Sequence, residues 1–198
     1  QNKMTVQKVF VNNKIEEVAN VKDISNELDR LMQVCTLCND TKIGANNQLT
    51  GDPTETALID LGFKINYNVK ETLELKRVKE IPFDSDRKLM TTVNKVGEKY
   101  LVYTKGGIDE LLARCNSYVV NGEIKSDLEN YKKEIDKYNV EMAKEALRVL
   151  SMAYKELDHE PTDEEMKNIE NDLIFVGMVG MIDPPREEVK VAVEKCKT

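Results

Sequence analysis

Two lysines, an aromatic ring and a pair of glycines are the residues of this sequence whose types and spacing suit ligand binding. Lys88 and Lys105 each occupy a predicted strand position, where a cation can hold an anion or simply face water. Lys105 precedes Gly106 and Gly107, so the backbone there can approach a ligand closely. Phe83 is followed by polar and basic residues, which suits the mouth of a pocket, although a core phenylalanine at a strand end is the structural alternative.

The common motifs of phosphate binding and catalysis are absent. The sequence has no G-x-x-x-x-G-K-[ST], no G-x-G-x-x-G, no Ser/His/Asp set and no cluster of metal ligands. Cys35 and Cys38 form a C-x-x-C, but no second ligand pair follows, and the only histidine is His159. We therefore expect two reduced, buried thiols one helical turn apart and an exposed histidine. We predict no catalytic residue and no metal site in this chain.

Composition narrows the class of protein. The net charge of −7 and the pI of about 5.0 argue against a nucleic-acid binder, and an anionic ligand would need a local basic cluster. The longest apolar run, residues 173–182, is far shorter than the roughly 20 residues that span a bilayer. The 198 residues are enough for one domain. The chain begins without an initiator methionine and ends within a helical pattern, which predicts a piece of a longer protein.

Hydrophobic periodicity predicts the elements that position these residues. One helix covers residues 24–39, and a second begins with Asp52 as N-cap, Pro53 at the first position and Glu55 in a capping-box pattern, ending at Gly62. Residues 75–105 form strands with a turn at residues 97–98, a short helix covers 108–115, and a tight turn falls at residues 121–122. A long amphipathic helix runs from 128 to 149, with Arg148 at its end, followed by strands at 149–157 and 173–182. Hairpins with helices on their faces predict an α+β fold with a twisted antiparallel sheet flanked by helices.

Several unusual local patterns occur in a fixed order along the chain. They are LCND at 37–40, GDPTETAL at 51–58, FDSDRKLM at 83–90, KGG at 105–107 and MIDPPR at 181–186. In order and spacing the chain resembles the nucleotide-binding domain of P-type cation-transporting ATPases, closest to the calcium-transporting branch. The opening QNKMT resembles the segment that follows the phosphorylation loop of that family. The resemblance covers nearly the whole chain.

The resemblance implies a role for each residue of a nucleotide pocket. Phe83 would stack on adenine, Met90 would pack against the base unless it is a plain core methionine, and Glu55 would accept a hydrogen bond from the adenine amino group unless it only caps its helix. Lys88 and Lys105 would line the pocket together with Gly106. Arg148 would point its guanidinium at the phosphates, although a cation at the end of a helix is also favourable without a ligand.

One residue departs from the pattern of the animal calcium pumps. Ser85 stands where those pumps have a basic residue, and Asp84 and Asp86 add negative charge nearby. Because a charge-assisted contact to phosphate is lost, we expect weaker nucleotide binding.

The resemblance also implies domains and partners. Residues 1–183 would be the nucleotide-binding domain, with the first few residues a linker, and residues 184–198 a stub of the phosphorylation domain. The chain would bind ATP, or Mg-ATP in the intact pump, without turnover, because the phosphorylated aspartate lies outside it. Its partners would be the phosphorylation and actuator domains of the same parent chain. We expect no nucleic acid, no membrane contact and a monomer, in a cytoplasmic domain of an integral membrane protein.

Two alternatives remain open from the sequence. The pump could carry magnesium, sodium/potassium or protons, because the ion ligands of the family lie in membrane helices that this chain lacks. The second alternative is a protein-interaction module without enzymatic function, in which the hairpins and the long helix bind a partner.

Overall fold

A computed structural model describes residues 3–183 of the chain. The predicted stub at residues 184–198, its helix and Cys196 lie outside the described residues. The helices are α1 (Asn26–Leu37), α2 (Pro53–Lys64), α3 (Val69–Thr72), α4 (Ile108–Leu112), α5 (Leu128–Lys144) and α6 (Asp163–Met166). The strands are β1 (Thr5–Val11), β2 (Lys14–Glu17), β3 (Lys42–Ile43), β4 (Leu49–Thr50), β5 (Arg77–Asp84), β6 (Leu89–Val96), β7 (Lys99–Gly106), β8 (Cys115–Val120), β9 (Glu123–Lys125), β10 (Arg148–Leu157) and β11 (Leu173–Ile182).

One large sheet organises the described part of the chain. Its strands follow the order β2-β1-β11-β10-β7-β6-β5, and β8 joins beside β11 and carries β9. All pairs are antiparallel except β8 with β11. The α+β class and the antiparallel sheet flanked by helices are therefore confirmed. The two short strands β3 and β4 form a separate hairpin between α1 and α2.

The two faces of the sheet carry separate hydrophobic cores. Successive strand residues point to opposite faces, so Met90 packs with α1 and α2 while its neighbour Leu89 packs with α4 and α5. Tyr103 lies on the first face, which we call the α1/α2 face, and Val102 lies on the second, the α5 face. Side chains on these two faces thus have no direct contact through the sheet.

The start of α2 agrees with the prediction, but its end does not. The Asp52 carboxylate accepts from the backbone N–H groups of Thr54 and Glu55, and Pro53 occupies the first turn. The helix continues through Gly62 to Lys64, so the prediction that Gly62 ends it is wrong. Gly62 is needed for close packing instead, because a Cβ there would lie 2.5 Å from Val69 Cγ2.

The predicted end of the long helix is also wrong. Helix α5 stops at Lys144, Ala146 adopts φ 60°, and the Leu147 N–H bonds back to the Met142 carbonyl at 3.1 Å. Arg148 is therefore the first residue of β10 rather than the end of a helix. The predicted helix is five residues too long, because the buried Leu147 continues the apolar pattern of the helix after the backbone has turned.

Two smaller predictions need correction. Lys88 does not lie on a strand: its φ of 60° places it in the turn that precedes β6. Helix α4 ends at Leu112, and Cys115 begins β8. The strand assignments for Lys105 and for residues 173–182, and both predicted turns, are confirmed.

The packing of Gly62 against Val69 generates a stability prediction. We expect Gly62→Ala to lower the free energy of unfolding by about 1 kcal/mol, because overpacking outweighs the gain of roughly 0.5–1 kcal/mol in helix propensity. In a Val69→Ala background the clashing methyl is gone, and the same substitution is expected to stabilise the protein. Urea unfolding followed by circular dichroism measures both. Destabilisation of equal size in the two backgrounds would contradict this packing account.

Candidate functional site

An ion pair between β7 and the first turn of α2 forms the centre of the candidate site. Lys105 Nζ lies 2.6 Å from Glu55 Oε2, and the two side chains are only 7% and 13% exposed. The ammonium also donates to the backbone carbonyl of Cys38, at the end of α1. Strand β7 and helices α1 and α2 therefore meet at one cation, and each polar partner offsets the cost of burying its charge.

Both carboxylate oxygens of Glu55 are engaged. While Oε2 accepts from Lys105, Oε1 accepts from the backbone N–H of Asp40 at 3.1 Å. The carboxylate is therefore held by the ammonium and the loop after α1. It does not return to the backbone N–H of its N-cap Asp52, so the predicted capping box is only half formed. The predicted capping-box role of Glu55 is therefore wrong, and without a ligand the residue joins α2 to β7 through its ion pair with Lys105.

Asn39 is a site residue that the sequence did not identify. Its Nδ2 donates to the carbonyls of Cys35 and Glu55, each at 2.9 Å, and its Oδ1 accepts from the Thr41 N–H at 2.8 Å. The side chain is buried and joins the last turn of α1 to the first turn of α2. An asparagine that directly follows an amphipathic helix, in the LCND pattern, was the available signal.

Arg77 fixes the same junction from β5. Its Nη2 donates to the carbonyls of Leu37 and Asn39 at 2.9 Å, and its Nη1 to Asp40 Oδ1 at 2.8 Å. Burial lowers the pKa of the guanidinium, but the hydrogen bonds that it donates to Asp40 and Glu80 outweigh burial and raise the pKa above its ordinary value. Nothing in the local sequence distinguishes Arg77 from a solvated strand cation.

Met90 and Gly106 lie next to Lys105 in the sheet. Met90 is the cross-strand partner of Lys105, is buried, and offers its carbonyl to the Cys38 thiol at 3.3 Å. Gly106 pairs with Leu89, and a Cβ there would lie 2.2 Å from the Lys88 carbonyl oxygen. Glycine at this position therefore lets the turn before β6 pack directly on β7.

Phe83 and Lys88 stand at the two ends of that turn. Phe83 is 60% exposed and lies within the irregular pairing of β5 and β6 between Ile81 and Asp84. Lys88 is also exposed, and its N–H closes the turn on the Asp84 carbonyl at 2.6 Å. The alternative of a core phenylalanine is wrong, because more than half of the ring faces solvent.

Arg148 lies at the same end of the sheet but apart from the ion pair. Ser151 of β10 pairs with Gly106, so Arg148 lies three residues further along, about 10 Å beyond the end of β7. Its side chain is exposed, with Nη2 3.8 Å from Asp183 Oδ1. The structure therefore brings Glu55, Met90, Lys105 and Gly106 into one cluster and packs the turn with Lys88 on Gly106. Phe83 precedes this turn on β5, and Arg148 lies at the margin of the cluster.

The charges at this site nearly cancel. Glu55 balances Lys105, and Asp84 and Asp86 flank the turn that carries Lys88, so Lys88 and Arg148 are the exposed cations available to an anion. An arrangement with so little net positive charge attracts an anion only weakly.

The two cysteines of the C-x-x-C are buried, as predicted. Burial raises the pKa of the Cys35 thiol to about 12 and that of Cys38 to about 11, so both stay protonated at neutral pH. Among residues 3–183 no group of three or more His, Cys, Asp or Glu side chains is placed to hold a metal ion. His159 is exposed, as predicted, and hydrogen bonds to Asp158 and Glu165 raise its pKa.

None of the helices described for this chain is both long enough and apolar enough to cross a bilayer.

Comparison with protein families gives a match over most of the chain. The family model described as "P-type ATPase, cytoplasmic domain N" matches residues 27–188. Its description names a cytoplasmic domain, which agrees with the location predicted from the sequence.

Curated relatives match all or most of the chain but only part of their own length. The calcium-transporting ATPase 1 of Bacillus cereus is 44% identical over 200 residues, covering 100% of this chain and 22% of the relative. A calcium-transporting ATPase of Listeria monocytogenes is 38% identical, with 100% and 23% coverage. A sodium/potassium exporting P-type ATPase of Schizosaccharomyces pombe is 34% identical, with 92% and 18% coverage. The chain thus spans about a fifth of the length of these relatives.

The buried ion pair generates a second stability prediction. We expect Lys105→Met to lower the free energy of unfolding by about 3 kcal/mol, because it leaves the Glu55 carboxylate buried without its cation. The double variant Lys105→Met with Glu55→Gln is expected to lose about 1 kcal/mol, because neither charge is then left unpaired. Chemical denaturation of the four proteins in the cycle measures the coupling.

Lys99→Met serves as the matched control on the same strand. Lys99 forms an exposed ion pair with Glu156 at 2.9 Å, so its loss is expected to cost less than about 1 kcal/mol. Additive costs for Lys105 and Glu55 would show that the buried pair does not act as a unit.

Proposed function

The chain belongs to the family of P-type ATPase cytoplasmic N domains, and on this premise we propose that it binds ATP at the end of the sheet that carries Phe83 and Lys105. In the parent protein the bound ATP would be positioned for phosphoryl transfer to an aspartate outside this chain. The contribution of the chain would be binding and orientation, a proximity effect, without turnover by the chain alone.

The exposed ring of Phe83 is the observation that carries this proposal. Phe83 is 60% exposed, which is unusual for so large an apolar side chain, and it directly precedes the turn at residues 84–88 that packs on Gly106. Stacking of a nucleic-acid base on such a ring contributes about 1–3 kcal/mol. Within residues 3–183, five large hydrophobic side chains are exposed, and Phe83 is the aromatic one among them.

Polar groups that suit a nucleobase lie at the same end of the sheet as Phe83, because β5 pairs with β6 and Met90 of β6 pairs with Lys105. The Glu55 carboxylate is held by Lys105 and by the Asp40 N–H, so its orientation is set before any ligand arrives. We propose that it accepts from the amino group of adenine, while Lys105 neutralises its charge and Met90 and Gly106 form the floor of the pocket. Guanine carries a carbonyl oxygen at the equivalent position and would oppose a carboxylate, so this arrangement favours ATP over GTP.

The phosphates would meet a weaker set of contacts. Lys88 and Arg148 are the exposed cations that we assign to them, and Ser85, Asp84 and Asp86 supply no positive charge. We propose a dissociation constant around 1 mM for the chain alone, which corresponds to about −4 kcal/mol. In the intact pump ATP would bind as Mg-ATP, with the phosphorylation domain contributing the remaining contacts.

The names of the relatives guide the proposal for the parent protein. Several relatives are calcium-transporting ATPases, and a calcium pump is therefore our proposal for the parent, with another cation as the alternative because a sodium/potassium exporter is also similar. The phosphorylation and actuator domains of the parent chain would be its partners. The division into a nucleotide-binding domain at 1–183 and a phosphorylation-domain stub at 184–198 stays a prediction.

Titration with nucleotides tests the proposal. We expect ATP and AMP to shift the backbone amide NMR signals around Phe83, Lys88, Lys105 and Arg148, and GTP to shift them less. Phe83→Ala is expected to weaken ATP binding by about tenfold or more, since the stacking contribution is lost. Because the ring is exposed, the substitution should leave the thermal midpoint nearly unchanged.

Ile124→Ala is the matched control for loss of an exposed apolar side chain. Ile124 is 58% exposed, on β9, away from the candidate site. It is expected to leave ATP binding unchanged. If ATP at ~10 mM, about ten times the proposed dissociation constant, shifts none of these amides, the proposal fails and the protein-interaction alternative is favoured.

A further inference from the structure

A buried carboxylate on the α5 face has no part in the site described above. Glu170, in the loop between α6 and β11, is 5% exposed, and its Oε1 lies 2.8 Å from Arg87 Nε. Its Oε2 accepts from the Thr91 hydroxyl, which lies 2.9 Å from the hydroxyl of Thr104. A carboxylate in a protein interior is costly unless it is paired and hydrogen-bonded, and here both oxygens have partners.

The partner of Glu170 holds both ends of the turn before β6. Arg87 Nη2 donates to the Pro82 carbonyl at 3.1 Å and to the Leu89 carbonyl at 2.7 Å. These two carbonyls come directly before Phe83 and directly after Lys88 along the chain. A single guanidinium therefore closes the segment that presents both residues, and its planar fork suits the task better than a lysine would.

Glu170 contacts Arg87 of this turn from the α5 face of the sheet. Thr91 follows Met90 on β6, and successive strand residues point to opposite faces, so Glu170 lies on the face opposite to Met90 and Lys105. A ligand on the α1/α2 face thus has no direct contact with Glu170. Any effect of Glu170 on that ligand passes through Arg87 or through Thr91.

The loop that carries Glu170 is itself docked on the sheet. Lys79 Nζ of β5 lies 2.8 Å from Asp163 Oδ1 of α6, and Ile169 is buried in the hydrophobic cluster of the α5 face. Lys155 of β10 donates to the Asn171 carbonyl at 2.8 Å. These contacts therefore fix the position of the loop that carries the Glu170 carboxylate.

We propose that Glu170 is a positioning residue of the ATP site: through Arg87 it fixes the turn at residues 84–88, so that Phe83 and Lys88 are held ready for the nucleotide. The inference rests on the proposed function. Glu170 lies 87 positions after Phe83 in the chain and on the opposite face of the sheet. Neither its position in the sequence nor its distance from the ligand would therefore indicate a role in binding.

The substitution Glu170→Gln tests this role, because it keeps the shape of the side chain and removes the charge that holds Arg87. We expect ATP binding, measured by amide NMR titration of the 198-residue chain, to weaken about tenfold, because the largely buried Arg87 guanidinium loses the charge of its ion-pair partner. Without ATP, ¹⁵N relaxation should show increased motion at the amides of residues 85–88 alone.

Glu27→Gln is the matched control. Glu27 is 6% exposed, and its Oε2 accepts from the Gly122 N–H at 2.8 Å, at the start of α1. Both variants are expected to lower the thermal midpoint, but Glu27→Gln should leave the ATP affinity and the motion of the turn unchanged. The comparison separates a role in positioning from a role in stability.

A double variant tests whether Glu170 acts through Arg87. Arg87→Met removes the guanidinium, so adding Glu170→Gln to it should weaken ATP binding by less than twofold more, whereas independent residues would give additive effects. If Glu170→Gln fails to fold, Arg87→Lys, which loses the fork that joins the two carbonyls, takes its place with the same expected loss of affinity.

Two results would overturn the inference. One is an ATP affinity of Glu170→Gln equal to that of Glu27→Gln, and the other is full additivity with Arg87→Met. Failure of the unsubstituted chain to bind ATP in the same titration would instead remove the proposed function, and with it this inference. Titration of the unsubstituted chain thus distinguishes failure of the proposed function from failure of this inference.

Discussion

The buried pair of Lys105 and Glu55 is the interaction on which the candidate site depends. A cation and a carboxylate that are both largely removed from water stabilise the protein only if their remaining hydrogen-bonding groups are satisfied. The structure meets that requirement with the Cys38 carbonyl and the Asp40 N–H, which both lie just after α1. These backbone groups must themselves be fixed in place. Asn39 and Arg77 do this through hydrogen bonds to the carbonyls of Cys35 and Asn39 at the end of α1. The charge of one lysine thereby fixes the end of α1, the start of α2 and the middle of the sheet relative to one another.

The sheet carries the groups proposed to bind the ligand on one face and the network proposed to support them on the other. Its α1/α2 face carries Met90 and Lys105, while its α5 face carries Thr91 and the carboxylate of Glu170. Because this network lies on the second face, it takes up no volume in the proposed pocket. Its polar groups also cannot form hydrogen bonds with the ligand in place of the residues proposed to bind it. The turn at residues 84–88 connects the two, since Arg87 faces the support while Phe83 and Lys88 are exposed. Preorganisation of this kind lowers the entropy that binding must overcome, which matters at a site whose charges nearly cancel.

Local patterns predicted a large part of the fold, and the failures have physical causes. Strands β6, β7 and β11 and the N-cap of α2 follow from alternation, turn residues and the Asp-Pro start. The ends of α2 and α5 did not follow, because Gly62 is a packing residue and because Leu147 extends an apolar stripe after Ala146 has left the helical region. For the candidate site, residue type and neighbours singled out Phe83 and Lys105 in the sequence, and their role in binding stays a prediction. Asn39, Arg77 and Glu170 were not identified, because their contacts involve partners up to 83 residues away, as between Arg87 and Glu170, that only the folded chain brings together.

The central claim is that adenine lies on Phe83 beside the Glu55–Lys105 pair. Intermolecular nuclear Overhauser effects between the H2 and H8 protons of ATP and the protein test this directly, since they require a proton separation under about 5 Å, the range of direct packing contacts. The account predicts cross-peaks from the adenine protons to the ring of Phe83 and to the methyl group of Met90. Cross-peaks that instead involve residues of another surface, such as the groove beside His159 and Pro161, with none to Phe83, would contradict it.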